Sequence, residues 1–408
     1  MRVVRAVAVV AIGVGSAAAA SCAGVPDVFR CTADEQCRAG DAPGLCEVDG
    51  FCSQPDTACG TGRRYAPESA DKSGACVEPW LFVTGGPFAD TEPVLALDRA
   101  GRLHLGVSFV DQTRVGDQQI LSAGLGDFYL AELDPLRGRL IGVEAFGSAG
   151  YDELHAIARY GAEDILVAAS IEGAIAIDGA TADGPGMMIA RRGTRPWAGV
   201  TRPTAGYLYP TAISEDGSLG RVVVAGAMAS FDANDAVIDF GVSVEEGPQV
   251  LIAPSTFDSE FPEQGFVAMF EGDGRIATAQ TARANGSSGL CEAVAVDPNG
   301  VLVATCLSFA ADDLDREDPL GLAQISASWQ LPDLLSEFES NELTSFSAIA
   351  YGPGPALFVA GTCFGACALP GASDGGAETI VDAPPGSLIV VRATADESSE
   401  FSLVTSWV

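Results

Sequence analysis

The stretch CEAVAVDPNGVLVATC, from Cys291 to Cys306, constrains this chain more than any other. Two apolar runs, Ala293–Val296 and Val301–Ala304, flank Asp297-Pro298-Asn299-Gly300. Proline's fixed φ and the tolerant Asn-Gly pair favour a tight reversal between antiparallel strands, so the stretch reads as a β-hairpin. Both arms are almost continuously apolar or small, the pattern of sheets covered on both faces. The same pattern returns as VLALDRAGRLHLGVSFV from Val94, HAIARYGAEDILVAAS from His155, TAISEDGSLGRVVVAGA from Thr211 and SAIAYGPGPALFVAGTC from Ser347. So many copies mark a repeat array.

Each hairpin is followed, after a variable insert, by a third run opening on Gly126, Gly186, Gly265, Gly321 or Gly386. A fourth run closes most units, as at Arg139–Phe146, Arg275–Thr281 and Phe401–Val408. Four antiparallel strands per repeat is the plan of a propeller blade. The expected fold is therefore all-β: a β-propeller of five four-stranded blades, with six or more as the alternative, preceded by a small disulfide-rich segment. The 48 glycines suit a body so rich in turns. Small residues late in the second strand, at Gly106, Ala168-Ala169, Ala225-Gly226, Ala304-Thr305 and Ala360-Gly361, are expected to let wedge-shaped neighbours approach closely. The run Trp80–Thr84 looks like a closing strand, so a blade assembled from both chain ends competes with simple closure.

The units read roughly alanine-valine-alanine-Asp-x-x-Gly, then valine-x-valine-x-Gly, then Gly-x-Phe-valine-alanine. They resemble the bacterial β-propeller repeat family over about Trp80 to Val408. The resemblance implies a toroid and leaves the ligand open.

Near the chain start, Arg2 and Arg5 precede an uninterrupted small and apolar run from Ala6 to Ala20, the form of an export signal. The run is short and alanine-rich for a retained membrane span. It ends in Ala19-Ala20-Ser21-Cys22, which resembles the lipobox of bacterial lipoproteins, with Ala19 where that family usually has a larger aliphatic residue. The resemblance implies acylation of Cys22, each buried methylene adding ~0.8 kcal/mol of membrane affinity. Ala18 and Ala20 also form a small-x-small site for ordinary cleavage before Ser21. The expected organisation is a signal peptide over 1–21, a tether over 22–30, a cysteine-rich segment over 31–78 and the propeller over 79–408. The expected address is the bacterial outer membrane or cell surface as a lipoprotein, or alternatively the periplasm or medium.

Setting Cys22 aside from the 11 cysteines leaves an even number, which an exported chain can pair completely. Cys31, Cys37, Cys46, Cys52, Cys59 and Cys76 lie among mostly Gly, Asp, Glu, Ala and Pro, too few of them large and apolar to make a core. Such a segment needs disulfides, whose connectivity stays open. Zinc competes, but its paired C-x-x-C knuckles are missing. Gly50-Phe51-Cys52-Ser53 followed by Cys59-Gly60-x-Gly62-Arg63 resembles short cysteine-rich modules of exported myxobacterial proteins, which implies no known activity. In the fourth repeat, a turn centred between Pro298 and Asn299 would set Cys291 opposite Cys306, and a bulge at Gly300 would spoil that register. Cys363 and Cys367 are close enough in sequence to close a small ring.

The net charge of −33 opposes binding to nucleic acid and to anionic membranes, leaving membrane contact to the lipid anchor. Lys72 is the single lysine. With only His104 and His155, metal sites built from several imidazoles are excluded. His104, between Leu103 and Leu105, is expected to be a hydrogen-bonded packing residue. His155 follows Asp152-Glu153, a polar cluster that could serve a site. No G-x-S-x-G elbow, H-E-x-x-H, phosphate loop or EF-hand series occurs.

Asp312, Asp313, Asp315, Glu317 and Asp318 crowd one insert, and Asp232, Asp235 and Asp239 another. Calcium takes six to eight oxygens, so these are its candidate ligands, although they lack a repeated spacing; no other cofactor is implied. The expected function is a non-enzymatic binding or scaffold module. Its loops, above all Ala229–Gln264 and Ala310–Leu320, would meet a surface protein or a carbohydrate. The rivals are a propeller hydrolase or lyase, with carboxylates and arginine at a central channel, and a structural component of the cell surface or matrix.

Overall fold

The computed structural model describes residues 29–38, 43–88, 90–91, 93–230, 236–243, 247–253, 264–281, 290–296, 302–307, 320–325, 333–338, 343–351, 356–363, 366–369, 379–382, 387–395 and 401–407. From 302 onward, side chains are described only for Ala304 and residues 348–350. The proposed leader, most of the tether with Cys22, and the acidic residues Asp312, Asp313, Asp315, Glu317 and Asp318 lie outside the described residues. The chain divides into two compact units, Met1–Leu81 and Phe82–Val408. Among the described residues there is no α-helix, only strands and two short 3-10 turns, Asp34–Cys37 and Ala70–Lys72.

The first unit has a three-stranded antiparallel sheet of Leu45–Cys46, Cys52–Pro55 and Arg63–Tyr65. Cys31 pairs with Cys46 and Cys37 with Cys52, each across a separation of 15, while Cys59 pairs with Cys76 across 17. The first two bridges interleave along the chain. On the loop-entropy model a loop of that length contributes about 3 kcal/mol. Cys31, Cys37, Cys52 and Ala66 make a small buried cluster, so sulfur takes the place that aliphatic side chains fill elsewhere.

Polar contacts complete the unit. Glu47, Ser53 and Arg63 form a buried knot, with Arg63 Nε 3.1 Å from Glu47 Oε1 and donating to Ser53 Oγ at 2.9 Å. The lone lysine, Lys72, pairs with Asp49 and lies 5.1 Å over the Tyr65 ring. Arg30, the last residue of the expected tether, stacks 4.0 Å over Phe51.

In the second unit each repeat builds a sheet in simple up-and-down order. Repeat I has Val94–Leu97, Leu103–Phe109, Asp127–Leu133 and Leu140–Phe146. Repeat II has Glu153–Tyr160, Asp164–Ile171, Gly186–Arg192 and Trp197–Pro203, and repeat III has Tyr207–Asp216, Arg221–Ala229, Gln264–Phe270 and Ile276–Thr281. Repeat IV has Cys291–Val296, Leu302–Leu307, Leu320–Ile325 and Asp333–Phe338, and repeat V has Leu343–Tyr351, Ala356–Cys363, Ser387–Ala395 and Phe401–Trp407. Among the described residues the opening stretch does not pair with a sheet of the last repeat. Thr84–Gly85 pairs instead with the insert hairpin of repeat I, Gln112–Val115 and Gln118–Leu121.

The first strands of successive repeats pack against one another, I on II, II on III, III on IV and IV on V. Apolar residues bury between the sheets: Leu166, Ala168 and Met187 of repeat II share a cluster with Val222, Val224 and Phe266 of repeat III. The two-faced burial inferred from the unbroken apolar arms is seen in Arg221–Ala229, buried at every residue after Arg221. Gly106 explains one small-residue position as a close approach between repeats, since a Cβ there would sit 2.3 Å from Leu154 of repeat II. Gly226 has a different reason: its Cβ would strike the Tyr209 carbonyl, 2.2 Å away in its own sheet.

The long insert of repeat III, where a partner is expected, contains two strands of its own. Ala236–Ser243 and Gly247–Ala253 form a hairpin that crosses to repeat II, where Arg202 pairs with Asp239 and Pro203 with Ile238. That sheet thereby grows to six strands. The cause is the alternation Ala236, Ile238, Phe240, which aims one face inward, with Phe240 5.7 Å from the Phe266 ring. Asp239 lies exposed on this hairpin, its Oδ1 accepting the Gly241 N–H at 2.8 Å, while Asp232 and Asp235 lie outside the described residues.

Candidate functional site

The site begins with an irregularity of pairing. In repeat II Leu154 opposes Ala169 and Ala156 opposes Ala168, leaving His155 as the extra residue of a β-bulge. Repeats III and IV bulge at the matching residues, Thr211 and Glu292, and the repeat V register also shifts just before Ala348. A bulge re-aims its extra side chain. Thr211 uses this to bond across to the Cys291 carbonyl of the next repeat. His155 is turned toward repeat III, its ring 5.9 Å from that of Tyr209.

Tyr209 continues the row. It stacks on Tyr207, two residues back on the same strand face, with ring centroids 5.4 Å apart and planes inclined by 24°. The three rings line an open cleft of about 710 Å³ between repeats II and III. Its other walls include Glu153, Ser170, Glu172, Pro185 and the segment Arg202–Leu208, which the crossing hairpin braces at Arg202 and Pro203.

Its electrostatics are uneven. Burial holds the Glu153 carboxyl above its ordinary range, and among the described residues no cation or hydrogen-bond donor compensates it. Glu172 Oε2 accepts the Tyr151 N–H at 2.9 Å. Arg202, the cleft's one basic residue, is directed to Asp183: its Nη2 donates to the Asp183 carbonyl and lies 3.4 Å from Oδ2. Burial also pushes His155 down to about 4, so its imidazole is neutral near pH 7.

His155 Nε2 lies 2.9 Å from Ser170 Oγ, the separation of a nucleophile from its base. Two features disfavour that chemistry. A base with so low a pKa has little driving force for taking a serine proton, and among the described residues no carboxylate orients its second nitrogen. The arrangement is suited to holding a ligand.

Two other residues picked out from sequence, His104 and Asp152, serve the fold. His104 is buried with Nε2 3.2 Å from Asp98 Oδ2, and Asp98 also takes Arg102 Nε at 2.7 Å. Asp152 lies outside the cleft lining: its Oδ2 accepts the Ser148 N–H and its Oδ1 the Glu172 N–H at 2.9 Å. Of the cluster read around His155, only Glu153 shares the cleft with it. Among the described residues, the one group spaced to hold a metal is Cys31, Cys37 and Cys46, all already in disulfides.

Cys291 is disulfide-bonded and its Cα partner is Cys306. The pairs from Val296 and Leu302 outward run one residue off the symmetric register, and the bulge at Glu292 brings Cys291 back opposite Cys306. Cys363 pairs with Ser387 in repeat V and Cys367 with Val381 in a separate hairpin; their side chains lie outside those described.

Tyr207, Tyr209 and Ser170 were not picked out from sequence. The alternating Tyr207-Leu208-Tyr209 was a visible signal for two rings on one strand face, whereas nothing local ties Ser170 or the tyrosines to His155. Among the described residues no helix is long and apolar enough to cross a membrane.

No protein-family model matches the chain, and no curated protein matches it. Two solved structures align with it at low similarity. One, a Lactobacillus plantarum protein, is 13% identical over 87% of this chain and 91% of its own, with a TM-score of 0.38. The other, a Dyadobacter fermentans protein of unknown function, is 11% identical over 77% and 93%, with a TM-score of 0.36. At these scores neither carries an argument about fold or activity.

Proposed function

We propose that this is an exported, lipid-anchored protein of the bacterial envelope whose second unit is a five-bladed β-propeller acting as a non-enzymatic carbohydrate-binding module. The propeller reading is supported by five sheets of the same four-strand order and by the succession of first strands packed side by side. Export is supported by the disulfides of the first unit, which persist in oxidising compartments.

One observation carries the binding reading: the row of His155, Tyr209 and Tyr207 lining an open cleft, with a Ser–His pair that no carboxylate orients among the described residues. Aromatic rings offer apolar area against the C–H faces of sugars, and the surrounding polar groups can bond hydroxyls. A glycan array probed with the full mature chain tests it. Binding that Tyr209→Ala lowers at least tenfold supports the reading. Turnover of fluorogenic esters or glycosides that Ser170→Ala abolishes would replace it with the hydrolase. Absence of fatty-acid labelling of the full chain would remove the lipid anchor, and labelling that survives Cys22→Ala would remove it from Cys22.

A further inference from the structure

From the electrostatics of this cleft, and resting on the carbohydrate reading above, we infer that its ligand is an amino sugar with a free, positively charged amine. A neutral or acetylated sugar would leave the cleft's negative charge without a counter-charge.

The argument starts from what is unbalanced. Glu153 is a half-buried carboxylate whose ionisation burial opposes, and among the described residues neither an ion pair nor a hydrogen bond offsets that cost. Glu172 adds a second carboxylate at the same wall, bonded among the described residues to one backbone amide. The one cation of the lining, Arg202, is committed to Asp183 and the Gly184 carbonyl on the rim. The imidazole of His155 is neutral, so it adds no opposing charge. The cleft thus has a net negative charge and a desolvated acceptor in want of a cationic donor.

The rings select the form of that cation. An ammonium group is drawn to the electron-rich faces and hydroxyl tips of tyrosines, more strongly where water is excluded. Ser170 and His155, already 2.9 Å apart, can exchange their mutual hydrogen bond for bonds to sugar hydroxyls. A bare metal ion would use the carboxylates and leave the rings idle; a neutral sugar would use the rings and could hydrogen-bond Glu153 but would bring it no opposite charge. An amino sugar uses both, and the cleft volume of about 710 Å³ suits a ligand larger than an ion. The charge of −33 on the whole chain raises the local concentration of cationic ligands.

The test is calorimetric titration of the full mature chain with glucosamine trimer, N-acetylglucosamine trimer and trilysine, at 150 mM salt. The glucosamine trimer should bind at least tenfold tighter than either of the others, and Glu153→Gln should erase that preference with a melting temperature no lower than the parent's. Tyr209→Ala should weaken both sugars, the glucosamine trimer more. Equal or tighter binding of the acetylated trimer overturns the amine assignment and leaves the carbohydrate reading standing. Equal binding of trilysine overturns the sugar. A preference for glucosamine trimer that survives both Glu153→Gln and Tyr209→Ala is the general attraction of an acidic surface, and overturns the site. No binding of any probe overturns this inference, while the glycan array decides the broader reading separately.

Discussion

The two units of this protein solve the same problem with different materials. The first has few large apolar side chains, and its order comes from three disulfides, a buried Arg63–Glu47 knot and cations laid over Phe51 and Tyr65. The second is held by continuous apolar strands, where Val222, Val223, Val224, Ala225, Phe266, Val267 and Ala268 are all fully buried. A short chain cannot bury enough area to offset its conformational entropy, so it depends on covalent and electrostatic staples; a repeat array shares one core between neighbours. The first should therefore be sensitive to redox state and the second to volume.

Phe266→Ala should have the largest effect. Phe266 is fully buried against Phe240 and the repeat II–III core, so its loss should cost about 3–5 kcal/mol. Calorimetry of the full chain should show a lower melting temperature for the repeat unit, while the first unit keeps its protease resistance. Next comes Cys37→Ser with Cys52→Ser, which should cost the first unit about 2–5 kcal/mol. Limited proteolysis should then cut within residues 31–78 and spare the repeats. Equal loss in both units under either change would end the contrast.

Glycine substitutions sharpen it further. Gly226→Ala meets a backbone carbonyl and should destabilise by roughly 1–3 kcal/mol, as overpacking does. Gly106→Ala meets first the movable end of Leu154 and should cost less, as denaturant melts of the pair would show.

The smallest effects are electrostatic. Burial alone would raise Asp164, but hydrogen bonds from Thr194 and Arg191 outweigh it and hold the carboxyl below its ordinary value. Its stabilisation is present above the ordinary 3.8 and lost as pH falls through the depressed folded value. Asp127 runs the other way. Burial, with Asp152 nearby, raises it, and its Oδ1 has no hydrogen-bond partner. Asp127→Asn should therefore raise the repeat unit's melting temperature at pH 7, with a gain that shrinks as pH falls and vanishes below 3.8. A gain independent of pH would place its cause elsewhere.

How far the site was legible follows from the range of each interaction. Hairpins such as Val94 to Phe109 were readable because turn chemistry and apolar runs act between near neighbours in sequence. The requirement for disulfides was readable from the lack of core-forming residues, but the choice of Cys31 with Cys46 and Cys37 with Cys52 was not. The opposition of Cys291 and Cys306 was anticipated from a symmetric turn, whereas the structure reaches it through an offset that the bulge at Glu292 reverses.

By itself, then, the sequence determined an all-β chain, a repeating four-strand unit and a segment in need of covalent staples, since each depends on residue type and local spacing. Tertiary structure alone decided that His155 bulges toward Tyr209, that Ser170 meets it, and that a hairpin from repeat III braces the cleft from the edge of repeat II. Those contacts join strands from different repeats. Which of many similar edges and faces meet is settled by packing across the whole array, a cooperative choice that no local pattern encodes.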